Sequence, residues 1–396
     1  MIKGRCKMMD FKRKESSFMK QKLILFLLLF ALTCFPYDLR GPIVQNVTPY
    51  SATISWWTDE EDSGKIIYSD GRETYEAQAR RGTFQRVRLT NLKPSTLYTY
   101  HLEGSGYKAG PFSFRTAPMG FRRFRFAIYG DTRTQDDVHR AVLKAIAKHK
   151  PELALNTGDL VADGRVLELW KNFFSISSIL ASSVPLYTVL GNHEQNSPLY
   201  FRFLSLPGNE RYYSFDWGDC HFVALDSDEP YLSDKAQLKW LEEDLERNKK
   251  ARFIIVFFHH PAHTLVKGRE SYAEKVRRTF CPILEKYRVS VVFNGHDHNY
   301  QHFLINGIHH IVTGGGGAPL YAISSPDKYT IKAEVTYNYL ICDVEEDEMI
   351  LRAYRLDGSL LDEIAIKPRI KVGPPFIEKF PQMDLGKRPK VIDKRK

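Results

Sequence analysis

Five times between residues 124 and 298 a short apolar run stops at a polar cluster, and this repetition constrains the fold more than any other feature of the chain. Phe124 to Tyr129 leads into Gly130-Asp131, Leu153 to Thr157 into Gly158-Asp159, and Leu186 to Leu190 into Gly191-Asn192-His193. Phe253 to Phe258 leads into His259-His260-Pro261, and Val289 to Phe293 into Gly295-His296-Asp297-His298. The runs are β-rich and mostly continuous in apolar character, as expected of strands covered on both faces. Stretches of helical period separate them: Asp137 to Lys148, Arg165 to Leu180, Ser233 to Asn248 and Tyr272 to Tyr287. Strand followed by helix, repeated, gives an α/β class in which the loops after the strands gather on one edge of the sheet, where ligands bind.

The residue types at those loops are metal ligands. A bridging carboxylate holds two divalent ions about 3.5 to 4 Å apart, while imidazoles and hard oxygens fill the other positions. Coordination lowers the pKa of water from 15.7 toward about 7, which makes a bridging hydroxide available for in-line attack on phosphorus without a covalent enzyme intermediate. Each residue alone has a plainer reading: Asp131 and Asp159 as helix caps, His259 and His298 as satisfied core histidines. Five ligand-type clusters at five consecutive strand ends are not what capping produces.

The order GD, GD, GNH, HxP, GHxH resembles the calcineurin-like metallophosphoesterases, and within them the purple acid phosphatases, over residues 124–366. The resemblance implies a four-layer αββα sandwich. It implies Asp159 as the bridging carboxylate, Asp131 and His298 on the first metal, and Asn192, His259 and His296 on the second. His193 would touch the phosphoryl oxygens, and the ligand is His259 rather than His260. The metals expected are two divalent ions, Mn, Fe or Zn, and the substrate a small phosphorylated molecule.

The chain departs from that pattern at two positions. Ala162 stands where the purple enzymes place a tyrosine on the first metal, three residues after the bridging aspartate, and Arg133 stands where other relatives place a histidine. The first site then lacks a ligand, which water or Asp163 would supply, and no phenolate is present to give colour. Arg133 suits a bidentate grip on phosphate, and His263 is the candidate proton donor to the leaving group. His260, His302, His309 and His310 read as structural. The run Thr313 to Pro319, rich in glycine, lacks the Lys-Ser/Thr of a phosphate loop and reads as backbone passing close to the centre.

Residues 38–118 have another texture. Alternating runs at Ala52 to Trp57, Lys65 to Tyr68, Phe84 to Leu89, Tyr98 to Leu102 and Phe112 to Arg115 are broken by turn residues, which describes an all-β sandwich. With Trp56 as a core tryptophan and Leu92 to Tyr98 as a tyrosine-corner segment, it is similar to an immunoglobulin-like, fibronectin type III module.

The net charge of +10 is concentrated at the ends. Residues 1–22 carry +6 and residues 367–396 carry +7, so the body between them is −3. A basic nucleic-acid-binding face is therefore not expected. The apolar stretch Leu23 to Leu32 after Lys20 and Lys22 is short for a membrane span and suits the core of a signal peptide, with residues 1–36 as leader and Met19 as a possible start. Export follows, to the periplasm, cell surface or medium, with Cys34 as a candidate lipidation site. Residues 367–396 read as a basic, Pro-containing, disordered tail. Cys220, Cys281 and Cys342 are an odd trio whose spacing demands no disulfide. The function expected is an exported phosphomonoesterase, against a phosphodiesterase or nucleotidase on the same site, or a catalytically impaired surface binding protein.

Overall fold

The computed structural model describes residues 39–369. The leader, Cys34 and all but the first residues of the tail lie outside the described residues.

The first seven strands are β1 (Arg40–Gln45), β2 (Ala52–Asp62), β3 (Lys65–Ser69), β4 (Thr74–Gln78), β5 (Gly82–Leu89), β6 (Leu97–Glu103) and β7 (Lys108–Arg115). They form two antiparallel sheets, ordered β1-β2-β5 and β4-β3-β6-β7. Period-two alternation is visible in β6, where Tyr98, Tyr100 and Leu102 are buried and Leu97 and Thr99 are exposed. Trp56 is fully buried and its indole N–H donates to Tyr107 Oη at 2.9 Å. Tyr98 Oη accepts the backbone N–H of Lys93 at 2.9 Å, tying the β6 strand to the turn before it.

The larger region contains β8 (Phe124–Tyr129), β9 (Leu153–Asn156), β10 (Leu186–Thr188), β11 (Tyr213–Trp217), β12 (Cys220–Ala224), β13 (Phe253–Phe257), β14 (Val291–Asn294), β15 (Tyr300–Ile305), β16 (Ile308–Thr313), β17 (Thr330–Glu334), β18 (Asn338–Val344), β19 (Met349–Arg355) and β20 (Leu360–Ile366). Its helices are α1 (Asp136–Lys148), α2 (Leu167–Ala181), α3 (Pro198–Phe203), α4 (Lys235–Arg247) and α5 (Glu270–Lys286). One sheet runs β10-β9-β8-β18-β19-β20 and the other β11-β12-β13-β14-β16-β15-β17. In each, the strands carrying the polar clusters pair in parallel, β10-β9-β8 in the first and β13-β14 in the second. Antiparallel strands extend both sheets, so they are mixed. Helix α1 shows how the layers close: Asp136 and Asp137 suit its N-terminus, Lys148 its C-terminus, and His139, Val142, Leu143 and Ile146 form its buried stripe.

The sandwich is joined to this region by packing. One apolar cluster runs through both. Trp57 meets Phe203 at 4.7 Å and Phe174 at 6.3 Å between ring centroids. Tyr187 Oη donates to the Val47 carbonyl at 2.8 Å, and Tyr100 Oη to that of Ser182 at 2.6 Å. The described residues of the expected tail, 367–369, pack on the folded body. Arg369 donates through Nε to the Arg288 carbonyl at 2.7 Å and through Nη1 to that of Ala251 at 3.1 Å, so its charge caps open carbonyls of the folded body. Cys220, Cys281 and Cys342 are buried and free. No helix among the described residues is long and apolar enough to cross a membrane.

Candidate metal centre

The loops after β8, β9, β10, β13 and β14 bring Asp131, Asp159, Asn192, His193, His259, His296 and His298 together. Neither aspartate caps a helix. Asp131 accepts the backbone N–H of His296 on both carboxylate oxygens, at 2.9 and 3.0 Å, and Asp159 accepts that of His193 at 3.0 Å. Asp131, Asp159 and His296 hold φ values of 56°, 54° and 68°, in the left-handed region that costs a non-glycine residue energy. Two glycines make the approach possible. A Cβ at Gly191 would collide with the Asp159 carboxylate, and one at Gly295 with that of Asp131.

Two ligand groups result. The ligand atoms of Asp131, Asp159 and His298 lie within 4.8 Å of one another, as do those of His259, His260 and His296. Asn192 joins the second, its Oδ1 lying 3.2 Å from His259 Nε2 and 3.0 Å from His296 Nδ1. Asp159 touches both groups, since its Oδ1 is 3.4 Å from His259 Nε2. The tautomers are set from outside. His259 Nδ1–H donates to the Thr157 carbonyl at 2.9 Å and His298 Nδ1–H to that of Pro319 at 2.6 Å. The bare Nε2 lone pairs then face inward, His298 Nε2 lying 3.5 Å from Asp131 Oδ1. His259 Nε2, His296 Nδ1 and Asn192 Oδ1 thus converge within 3.2 Å of one another, an arrangement a cation can bind. Hard oxygen and imidazole donors of this kind fit Mn, Fe or Zn.

Without a metal ion the carboxylates draw a proton to His259, in the place a cation would take. Burial disfavours charge on both Asp159 and His259, yet their attraction prevails, holding Asp159 below the usual carboxylate range and His259 above the usual imidazole range. Burial, reinforced by the neighbouring His260 and His259, keeps His296 well below its ordinary value and so neutral.

Arg133 reaches the same place. Its Nε donates to Asp159 Oδ2 at 3.2 Å. His193 Nδ1–H donates to the Ala162 carbonyl at 2.7 Å, which leaves Nε2 on the centre's side, 4.0 Å from Asp159 Oδ2. A cavity of about 310 Å³ is lined by Arg133, Ala162, His139 and Phe173 among others. The glycine run passes behind Asp131, with Gly316 N–H on the Gly130 carbonyl at 2.9 Å and Ala318 N–H on that of Asp131 at 2.8 Å.

Two expectations are corrected. Asp163, offered to complete the first site, is held by Arg165 through Nε at 2.9 Å and Nη2 at 2.7 Å. His263 does not lie with these ligands. Its ring packs on Phe303 of β15 and His310 of β16, and a ligand atom of it lies within 4.8 Å of Cys281 on α5.

Sequence reasoning passed over three residues. Glu194, fully buried, accepts four backbone N–H groups, from Gly191, Asp159, Leu160 and Val161 at 2.7 to 3.3 Å, and so locks the GD159 loop to the GNH loop. Burial and the Asp159 charge push it up to about 8. Its signal was the fourth letter of GNHE. His260, read as structural, lies 4.3 Å from the His296 ring between centroids, tilted by 51°, with Nδ1 3.5 Å from Asp228 Oδ1. Asp297 binds Arg269 Nη1 at 2.7 Å, and that guanidinium also holds the His296 carbonyl.

The calcineurin-like phosphoesterase family matches residues 124–300. Purple acid phosphatase 21 of Arabidopsis thaliana is 34% identical over 239 residues, covering 56% of this chain and 54% of that protein. Purple acid phosphatase 22 of the same plant is 31% identical over 279 residues, 63% of each chain. This chain therefore spans little more than half the length of the first of these relatives. Among solved structures, a purple acid phosphatase from yellow lupin (Lupinus luteus) seeds superimposes with a TM-score of 0.74 at 18% identity, covering 84% of this chain and 75% of its own, which is a likeness of fold. The strand-edge cluster, the mixed double sheet and these matches make the chain similar to the calcineurin-like phosphoesterases over residues 124–300 and to the purple acid phosphatases.

Proposed function

We propose that the protein hydrolyses phosphate monoesters at a two-metal centre, with Asp131 and His298 on one ion, Asn192, His259 and His296 on the other, and Asp159 between them. The observation that carries this reading is the position of Asp159, a carboxylate within contact distance of both ligand groups. When bound, the metal pair supplies a water nucleophile usable near neutral pH and offsets charge on the phosphoryl oxygens. The chain's own residues do the rest. His193, held by the Ala162 carbonyl, presents Nε2, which when protonated donates to a phosphoryl oxygen. Arg133 leans on Asp159 through Nε and donates through Nη1 to Thr134 Oγ1 at 3.3 Å, which leaves Nη2 for a second phosphoryl oxygen. The cavity beside Arg133 and Ala162 has room for the alcohol portion of the ester.

Ala162 brings a methyl group where the purple enzymes bring a phenolate, so divalent rather than ferric iron chemistry is expected, without a strong visible band. We assign residues 38–118 to a fibronectin type III-like module and residues 122–366 to the catalytic domain. Export through the Leu23 to Leu32 stretch belongs to the same proposal, and mass spectrometry of the mature amino terminus tests it.

The activity test is turnover of p-nitrophenyl phosphate against bis-p-nitrophenyl phosphate after chelation and resupply of Mn, Fe or Zn. Monoester turnover restored by metal supports the reading. Preference for the diester favours a phosphodiesterase, and silence with every metal favours a binding protein, the reading to which Ala162 and Arg133 lend weight.

A further inference from the structure

A second group of ligand-type side chains lies apart from the proposed reaction. His263 comes from the loop after β13, Cys281 from α5 and His310 from β16, and one ligand atom from each lies within 4.8 Å of the others. The rings of His263 and His310 are 4.9 Å apart at 72°, so they meet edge to face. Cys281 is 5% exposed and sits in the apolar cluster of Phe280, Leu284, Val292 and Ile308 under α5.

Three properties separate this group from an ordinary core contact. His310 is only 3% exposed, yet its Nδ1 finds no hydrogen-bond partner among the described residues, a cost that folded proteins rarely leave uncompensated. Cys281 has no disulfide partner among the described residues. Burial pulls His263 down to about 4 and His310 well below its ordinary value, so both imidazoles are neutral with lone pairs to give, while it pushes the thiol up to about 12. A thiol so placed is inert until a metal displaces its proton.

We propose that His263, Cys281 and His310 bind one soft divalent cation, zinc before others, separately from the catalytic pair. Two imidazoles and one thiolate match the donor set zinc accepts, with water on the half-buried His263 side as fourth ligand. On binding, the Cys281 S–H bond breaks, the proton leaves to solvent and the sulfur electron pair forms the bond to the metal. Arg277, one turn before Cys281, places positive charge nearby, but its Nη1 is held on the Ala262 carbonyl at 3.2 Å, and the thiolate offsets it. The occupied site would clip the loop that follows His259 to α5 and β16, making it a structural staple behind the catalytic edge.

Cobalt substitution tests this independently of turnover, because the catalytic cluster contains only nitrogen and oxygen donors. The full chain, stripped and titrated with Co(II), should show a thiolate-to-cobalt charge-transfer band in the near ultraviolet. The band should vanish in Cys281→Ser, persist in Cys220→Ser, and need at least about tenfold more cobalt in His310→Gln. Should Cys281→Ser fail to fold, the His310→Gln titration decides. No thiolate band in the folded wild-type chain, or a band unchanged in these variants, overturns the proposal. Loss of phosphatase activity with the band intact counts against the catalytic reading alone.

Discussion

The sandwich of residues 39–116 and the strand edge that carries Asp131 to His298 bury opposite kinds of side chain. The sandwich hides Trp56, Tyr98, Tyr100 and Phe114, whose few polar atoms each find a single partner. The strand edge hides Asp131, Asp159, His259 and His298, all nearly inaccessible, with their lone pairs aimed at one another. Apolar burial stabilises whatever the protein does; convergent burial of carboxylates and imidazoles is costly unless a cation or substrate completes it. The contrast teaches where stability ends and function begins in this chain.

The contrast breaks most sharply at Asp159. Asp159→Ala should abolish phosphatase turnover while circular dichroism and the melting transition stay close to wild type; retained activity would mean that the shared carboxylate is not central. On the sandwich side, Trp57→Ala removes a ring packed on Phe84, Phe174 and Phe203 and should cost about 3–5 kcal/mol in urea unfolding. Turnover per folded molecule should be unchanged, and a specific loss of kcat would show the two regions to be coupled.

His221 sharpens the comparison, being a buried charge remote from the centre. Burial alone would lower its pKa, but hydrogen bonds of 2.7 Å to Asp216 and to Asp244 outweigh it and carry it from 6.5 up to about 9. A raised folded-state pKa contributes stability that is full below about 6.5 and lost as pH rises through about 9. Unfolding free energy should therefore fall by on the order of 2–3 kcal/mol across that window, and His221→Gln should flatten the decline. A pH-independent difference between the two proteins would remove the ion pairs from the account.

Smaller effects are expected from partners once removed. Glu194→Gln loosens the bond between the GD159 and GNH loops and should weaken metal binding about 10–100-fold, read by chelator competition. Tyr98→Phe deletes the phenol that receives Lys93 N–H and should cost about 1 kcal/mol with no change in turnover.

Much of this was legible in one dimension. The five strands before the clusters coincide with the apolar runs, because a strand buried on both faces has no polar residue until it ends, and the end is where the ligands sit. Tyr98 and Trp56 were legible because their roles depend on neighbours close in sequence or on a regular alternation. Residues acting across long separations were not. Glu194 holds Leu160, and Asp228 faces His260, only because strands distant in the chain lie side by side. His263 went astray because spacing from Pro261 does not say to which side a loop turns. Strands β12, β15 and β18 were unseen, since burial along almost their whole length leaves no alternation to read.

The most direct test is a crystal structure of the full chain grown with manganese and measured at an anomalous wavelength. The account predicts two peaks about 3.5 to 4 Å apart, one beside Asp131 and His298, the other beside Asn192, His259 and His296, with Asp159 touching both. A single peak, none, or ions bound elsewhere would contradict it.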